Sequence, residues 1–402
     1  MVLDILALAI LGCLLGIITG LAPGVHVNTV AVVGLSVFPH LSLSPIQFAV
    51  VMVAMTVTHS FLDFIPAIFL GAPEEATALS VLPAHRLLLQ GKALDAVKLT
   101  ALGSLLGLGF ALLLLAPTLA IIPAIYYGLR GYIGYVLAAA VVVLVLRERE
   151  KHKIVWAAGI FLLSGCFGLL MFDLRILSTT QVLFPAFAGL FGISNLINSL
   201  KEKATKIPQS KFTSVRIKPA HLSAGFFGAL AGLLVGLLPA MSPSQLGVLM
   251  SSLIGTEVGT FLVYLSAINT SDAIFSFVSL YTINNPRSGV ATMVGKVLDL
   301  GFDELLLLCG VTAFSAVFAT FLHLRLGRIA LDFVGRIDYR LLSIATLALV
   351  FSLLYLLTGW FGVLLAVLAT AIGLLPILSG VSRTHCMGAL LLPTIFYYVG
   401  LW

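Results

Sequence analysis

Apolar runs and short polar breaks alternate along the whole chain. In the first half the runs cover roughly 3–38, 46–72, 99–118, 131–146, 154–172 and 181–200. A polar stretch at 201–218 follows, and then runs at roughly 221–253, 259–283, 303–322, 341–358, 361–378 and 386–402. A helix crossing the hydrocarbon core needs about 20 residues, and most of these runs reach that length. In lipid the backbone must satisfy its own hydrogen bonds, so runs of this length predict helices. The pattern therefore predicts an all-α polytopic membrane protein. Two runs, 3–38 and 221–253, are too long for one crossing, and Pro23 and Pro239 interrupt them.

Those two long runs superpose at a constant offset of 216: Gly12, Gly16, Gly20 and Pro23 fall on Gly228, Gly232, Gly236 and Pro239. Both read G-x-x-x-G-x-x-x-G-x-x-P. One small-xxx-small pattern is ordinary helix-packing chemistry. Three glycines and a proline in one register, opening each half, indicate an internal duplication. A second pair supports it at an offset of 213. Thr58-His59-Ser60 before Gly71-Ala72-Pro73 resembles Thr270-Ser271-Asp272 before Asn284-Asn285-Pro286, with His59 meeting Asp272 and Pro73 meeting Pro286 at that offset. The expected organisation is a first membrane repeat at 1–200, a basic cytoplasmic linker at 201–220 and a second membrane repeat at 221–402.

Charge orients this arrangement. If each long run is a Pro-broken re-entrant hairpin followed by about five transmembrane helices, the second repeat is inverted. The segments 84–98, 147–153, 201–218, 323–340 and the turn at Arg383 then share one side and hold 18 of the 22 Lys and Arg residues. Basic residues are retained on the cytoplasmic side, so that side is the cytoplasm. Only Arg130, Arg175, Arg287 and Lys296 fall outside. Composition agrees: 60% of the 402 residues are apolar and only 9% are charged, against about 25% in a soluble domain. That excludes a soluble enzyme, a disulfide scaffold and a disordered chain. The net charge of +6 comes from the loop clusters and predicts no nucleic-acid partner. Cys13, Cys166, Cys309 and Cys386 read as small hydrophobes. No basic residue precedes the first apolar run, so it is expected to be mature structure rather than a signal peptide.

The interrupted runs are the first candidates for chemistry. Proline suits the first turn of a new helix, so Pro23 and Pro239 are expected to open half-helices at membrane depth. The free N–H groups after Pro23, near Gly24 and His26, would carry partial positive charge, which suits an anion. Asn28 and Thr29 follow in one half, Ser242 and Ser244 in the other. The competing reading is a kinked helix packed on its glycines. The second candidates are Thr58, His59 and Ser60, with Asp63 one turn on, and Asn269, Thr270, Ser271 and Asp272. An acid at membrane depth is costly and commonly functional. Asp63 and Asp272 are the expected ion-coupling groups, by ligating Na⁺ or by carrying a proton; interhelical packing is the bland alternative. Asn285 and Arg287 lie at the second break, where a positive charge could attract an anion from outside. No cofactor other than a coupling Na⁺ is expected, and no metal. The chain lacks H-E-x-x-H, which argues against an intramembrane metalloenzyme.

The sequence resembles the large membrane subunit of tripartite tricarboxylate transporters, the TctA family, in its shorter archaeal form. The resemblance rests on the G-x-x-x-G-x-x-x-G-L-A-P-G opening at Gly12 to Gly24, on Thr58 to Pro73 with Gly91-Lys92-Ala93, and on the Pro239 repeat. At the C-terminus it rests on Gly373-Leu-Leu-Pro376, Gly380-Val-Ser-Arg383 and Met387-Gly388 before Pro393. It implies a multi-pass cell-membrane permease that moves organic anions, di- or tricarboxylates, with an ion gradient. It also implies a small membrane subunit and an extracytoplasmic binding protein as partners. The Pro-Gly-x-x-x-x-Thr pattern at Pro23 to Thr29 also looks like that of polyprenyl-phosphate transporters, so a lipid phosphate is the alternative substrate. A homodimer is allowed for.

Overall fold

A computed structural model of the chain describes residues 2–22, 27–69, 81–148, 150–177, 181–200, 208–213, 215–238, 243, 246–247, 257–334 and 339–401. All regular structure among these residues is helical. The first half contains α1 (Val2–Leu21), α2 (Val27–Val37), α3 (Pro45–Leu62), α4 (Phe64–Phe69), α5 (Val81–Leu89) and α6 (Ala93–Leu113). It continues with α7 (Leu115–Leu129), α8 (Ile133–Leu146), α9 (Lys151–Asp173), α10 (Leu183–Phe187) and α11 (Ser194–Ser199). The second half contains α12 (Pro219–Val235), α13 (Val258–Ile283), α14 (Gly289–Gly295), α15 (Phe302–Val334), α16 (Tyr339–Ser379) and α17 (Gly388–Val399). Among the described residues seven helices are long and apolar enough to span a bilayer, and the α7–α8 pair, bent by 89°, makes up to eight.

Local chemistry explains several boundaries. Ser44 caps α3 with Gln47 in a reciprocal capping box, and Pro45 takes the first helical position. Pro117 has no N–H for the Leu113 carbonyl, so α6 ends there and α7 begins. Hydropathy left most of 115–129 between runs, yet the chain is helical throughout it. Likewise α15 extends through Arg325 and Arg328 to Val334, well into the stretch expected as a loop. Its 33 residues span about 50 Å, more than the roughly 30 Å hydrocarbon core. The runs 341–358 and 361–378 meet at Gly359, whose φ of 64° turns the chain inside α16.

Among the described helices of spanning length, the two most buried are α3, with its continuation α4, and α13. Every residue of Phe48–Leu62 is buried, and α13 is buried along most of its length. Each is covered by a glycine-faced partner. A Cβ at Gly16 of α1 would lie 2.6 Å from Thr58 Cβ, and one at Gly20 would lie 2.8 Å from Leu62 Cβ. Gly12 meets Ala54 in the same row. On α12, Gly228 meets Ala267 at 2.5 Å, Gly232 meets the Ser271 hydroxyl, and Gly236 meets Phe275 Cβ at 3.1 Å. The glycines differ in number by 216 and their contacts, 54 to 267, 58 to 271 and 62 to 275, by 213. The two helix pairs are therefore packed alike, residue for residue.

A further buried polar region lies far along the chain from these pairs. Residues Ala188–Ile193 between α10 and α11 form a π-helix. The wider turn leaves carbonyls to other donors, and Arg383 donates to Phe191 O at 2.5 Å and to Ser194 Oγ at 3.0 Å. Glu148 accepts from Ser382 N at 2.8 Å and lies 3.1 Å from His385 Nε2. At the polar rim Lys218 pairs with Glu257 at 2.8 Å, and this bond holds the Glu257 carboxyl below its usual range.

Candidate functional site

The α3–α4 break sits at Asp63. Pro66 withholds the N–H that the Leu62 carbonyl would need, so the helix is interrupted, and Asp63 N–H closes the last turn on His59 O at 2.9 Å. This places a carboxylate at a buried discontinuity; only 2% of Asp63 is exposed. Asn269 of α13 reaches across to it. Its Nδ2 donates to Asp63 Oδ2 at 3.0 Å and to Ser60 O at 3.3 Å. Residues 206 apart in sequence thus join the α3–α4 break to the middle of α13. Asp272 follows Asn269 by one turn and stays half-buried between buried Ser271 and Ala273.

The other hydroxyls of these clusters serve packing. Ser60 bonds back to Val57 O at 2.9 Å. Thr270 donates to Ser266 O and to Ser104 O of α6, and Ser271 to Ala267 O beneath Gly232. Thr58 lies beneath Gly16. The groups left at the junction are His59, Asp63, Asn269 and Asp272.

The second break forms one end of this region. Asn284 closes α13 with a left-handed φ of 48°, which asparagine tolerates. Asn285 Nδ2 donates to Tyr126 OH of α7 at 2.7 Å. Arg287 Nε donates to Leu237 O at 3.1 Å, just beyond the end of α12, and its Nη1 lies 3.5 Å from Tyr398 OH of α17. Its guanidinium also stands 6.0 Å from the Tyr126 ring centre. Ser279 donates to Gly236 O at 3.0 Å. The carbonyls at the end of α12 thus receive a hydroxyl and a cation, as a helix C-terminus favours. Arg287 Nη2 is buried with no hydrogen-bond partner among the described residues. It is a donor available to an anion.

Pro23, Gly24, His26, Pro239, Ser242 and Ser244 lie outside the described residues. Asn28 and Thr29 fall in the first turn of α2, and their side chains also lie outside them. Tyr126, Tyr398, Ser276 and Ser279 were not singled out from sequence. For Ser276 a signal existed, since the offset of 213 maps Asp63 onto it. Nothing in the local pattern marks the tyrosines. No group of three or more metal-ligating side chains occurs among the described residues.

Apolar spans around a buried polar junction define a multi-pass helical membrane protein with an internal polar site. The chain belongs to the tripartite tricarboxylate transporter TctA family, whose profile matches residues 6–388. That family is the membrane transporter component of tripartite systems, so the protein is a multi-pass transporter of the plasma membrane. The chain is 29% identical to an uncharacterized protein of Methanocaldococcus jannaschii, over 97% of this chain and 98% of that one. No solved structure matches it.

Proposed function

We propose that the protein is a secondary active transporter for a small organic anion, a di- or tricarboxylate, coupled to Na⁺ or H⁺. The observation that supports this most is the Asn269–Asp63 contact, which joins the polar centres of the two similarly packed helix pairs. In this reading 1–200 and 221–402 are inverted repeats and 201–220 is their cytoplasmic linker. Each repeat opens with a re-entrant hairpin, broken at Pro23 or Pro239. The N–H groups beside Pro23, Gly24 and His26, with Asn28, Thr29, Ser242 and Ser244, face the anion from the two breaks. Arg287 supplies its full charge and Asn285 an amide.

Charge balance explains the coupling. Asp63 and Asp272, when ionised, add negative charge to the region that holds Arg287, so a cation or proton that neutralises an acid favours binding of the anion. Moving that anion into a negative interior costs about 2.3 kcal/mol per charge per 100 mV, which the coupling ion offsets. A small membrane subunit and an extracytoplasmic binding protein would deliver the anion, as in the family's tripartite systems. A lipid phosphate is the second reading, because helix N-termini also suit phosphate. An intramembrane enzyme ranks below both.

The test is uptake into proteoliposomes of labelled di- and tricarboxylates and of polyprenyl phosphate, each with and without Na⁺ and pH gradients. Gradient-driven carboxylate accumulation is expected. Movement of the lipid phosphate alone would transfer the assignment to the second reading, and movement of neither would overturn both.

A further inference from the structure

Four hydroxyl side chains of α13 bond to carbonyls of their own helix. Ser266 donates to Leu262 O at 2.8 Å, Thr270 to Ser266 O at 2.9 Å, Ser271 to Ala267 O at 2.7 Å and Thr282 to Val278 O at 2.7 Å. That is the default bond of a helical serine or threonine in an apolar setting. Ser276, fully buried, does something else. Its hydroxyl points to the Asp272 side chain, 3.5 Å from Oδ1, and its oxygen accepts the Ser288 N–H at 3.2 Å. Ser288 immediately follows Arg287, and its own hydroxyl caps α14 by accepting from Ala291 N at 3.1 Å. One side chain thus connects a membrane-depth acid to the loop bearing Asn285 and Arg287. The same acid lies beside the α12 end that Arg287 caps: a Cβ at Gly236 would be 3.5 Å from Asp272 Oδ1.

We infer that Ser276 is a positioning residue that couples occupancy of the Asp272 carboxylate by a cation or proton to the placement of the Asn285–Arg287 loop. A hydroxyl has one proton and two lone pairs. While Asp272 is ionised and empty, that proton is drawn to Oδ1 and a lone pair stays on the Ser288 amide. When a proton or Na⁺ occupies Oδ1, the carboxylate no longer attracts the hydroxyl. The side chain then turns to its own helix carbonyl, as Ser266 and Ser271 do, and releases Ser288. The loop is freed to bring the Arg287 donor to an anion. Binding of the coupling ion at Asp272 therefore precedes tight binding of the anion at Arg287. The other charged or titratable groups near this level are Asp63, through Asn269 one turn away, His59 on α3 and Tyr126 beside Asn285. The Ser276 hydroxyl itself contacts Asp272 and Ser288. The inference rests on the transport reading for its coupling role, but the relay is measurable without transport.

The relay is read by hydrogen exchange of the full-length protein in detergent, over 284–292, in wild type and in Ser276→Ala, Ser276→Thr and Asp272→Ala. Ser276→Ala and Asp272→Ala are expected to speed exchange there several-fold, and Ser276→Thr to leave it slow. Should Ser276→Ala not fold, Ser276→Cys makes the same test, because a thiol is a poor hydrogen-bond group. In proteoliposomes Ser276→Ala is expected to keep anion exchange but to lose at least tenfold in gradient-driven accumulation, with Ser276→Thr restoring it. Unchanged exchange in both Ser276→Ala and Asp272→Ala overturns the relay. Faster exchange with wild-type accumulation overturns its coupling role. A wild type that moves no carboxylate overturns the transport reading and the coupling role with it, whatever the exchange data give.

Discussion

Buried polar side chains in an apolar chain have few partners, so each pairing has a large local effect. Asn269 donates to Ser60 O at the end of α3 and to Asp63 at the α3–α4 break. Asn269→Ala removes a donor from a carboxylate that is 2% exposed, and a cost of about 1–3 kcal/mol is expected. A fall in thermal midpoint of the detergent-solubilised protein reads it. If Asn269 were a surface-like spectator, the midpoint would not move. Asn28→Ala and Asp272→Asn are expected to abolish uptake while the midpoint stays within a degree or two of wild type; normal uptake in both would remove the proposed site. The acids at 63 and 272 and the arginine at 287 were legible in the sequence, because charge inside an apolar run is conspicuous. Which hydroxyls pack and which face the junction was not legible. Ser271 and Asp272 are adjacent, yet one lies under Gly232 and the other beside Gly236.

For the helices, close approach is decided by the absence of a side chain. Gly16 stands where a methyl group would be 2.6 Å from Thr58 Cβ, so Gly16→Ala must push α1 from α3. The expected loss is about 1–3 kcal/mol, and Gly232→Ala should behave alike because it meets Ser271 in the matching row. Gly109 of α6 has nothing within 4 Å of the same position. Gly109→Ala should be neutral or slightly stabilising, by up to about 1 kcal/mol, through helix propensity. Equal effects at positions 16 and 109 in a thermal-shift series would mean that α1 and α3 do not meet in this register. The glycine spacing marks these faces as closely packed, but not what they pack on. Residues 119–129 fall between the apolar runs, yet α7 continues through them, and Pro117 lies within its first turn, where a missing N–H costs nothing.

Across the whole molecule, the distribution of basic residues predicts the orientation. With 201–220 as a cytoplasmic linker, a cysteine replacing Thr205 should react with an impermeant maleimide only from the cytoplasmic face. Cys166, the exposed native thiol, is replaced by serine for this experiment. Labelling from outside would reverse the assignment and with it the side on which Arg287 meets the anion. The packing of α1 on α3 and of α12 on α13 uses the same offset for every contact pair, which is the large-scale regularity on which the proposed inverted repeats rest.

Sequence alone determined the solvent this protein lives in, its helical class, the interruption of two long runs and the spacing that relates them. Hydropathy and the conformational limits of glycine and proline act locally or periodically, so they can be read along the chain. Tertiary structure alone decided that Asn269 meets Asp63, that Arg287 caps α12 and that Ser276 holds the Ser288 amide rather than a carbonyl of its own helix. Those contacts depend on how helices cross and rotate against one another, and a one-dimensional pattern of apolar residues leaves that rotation free.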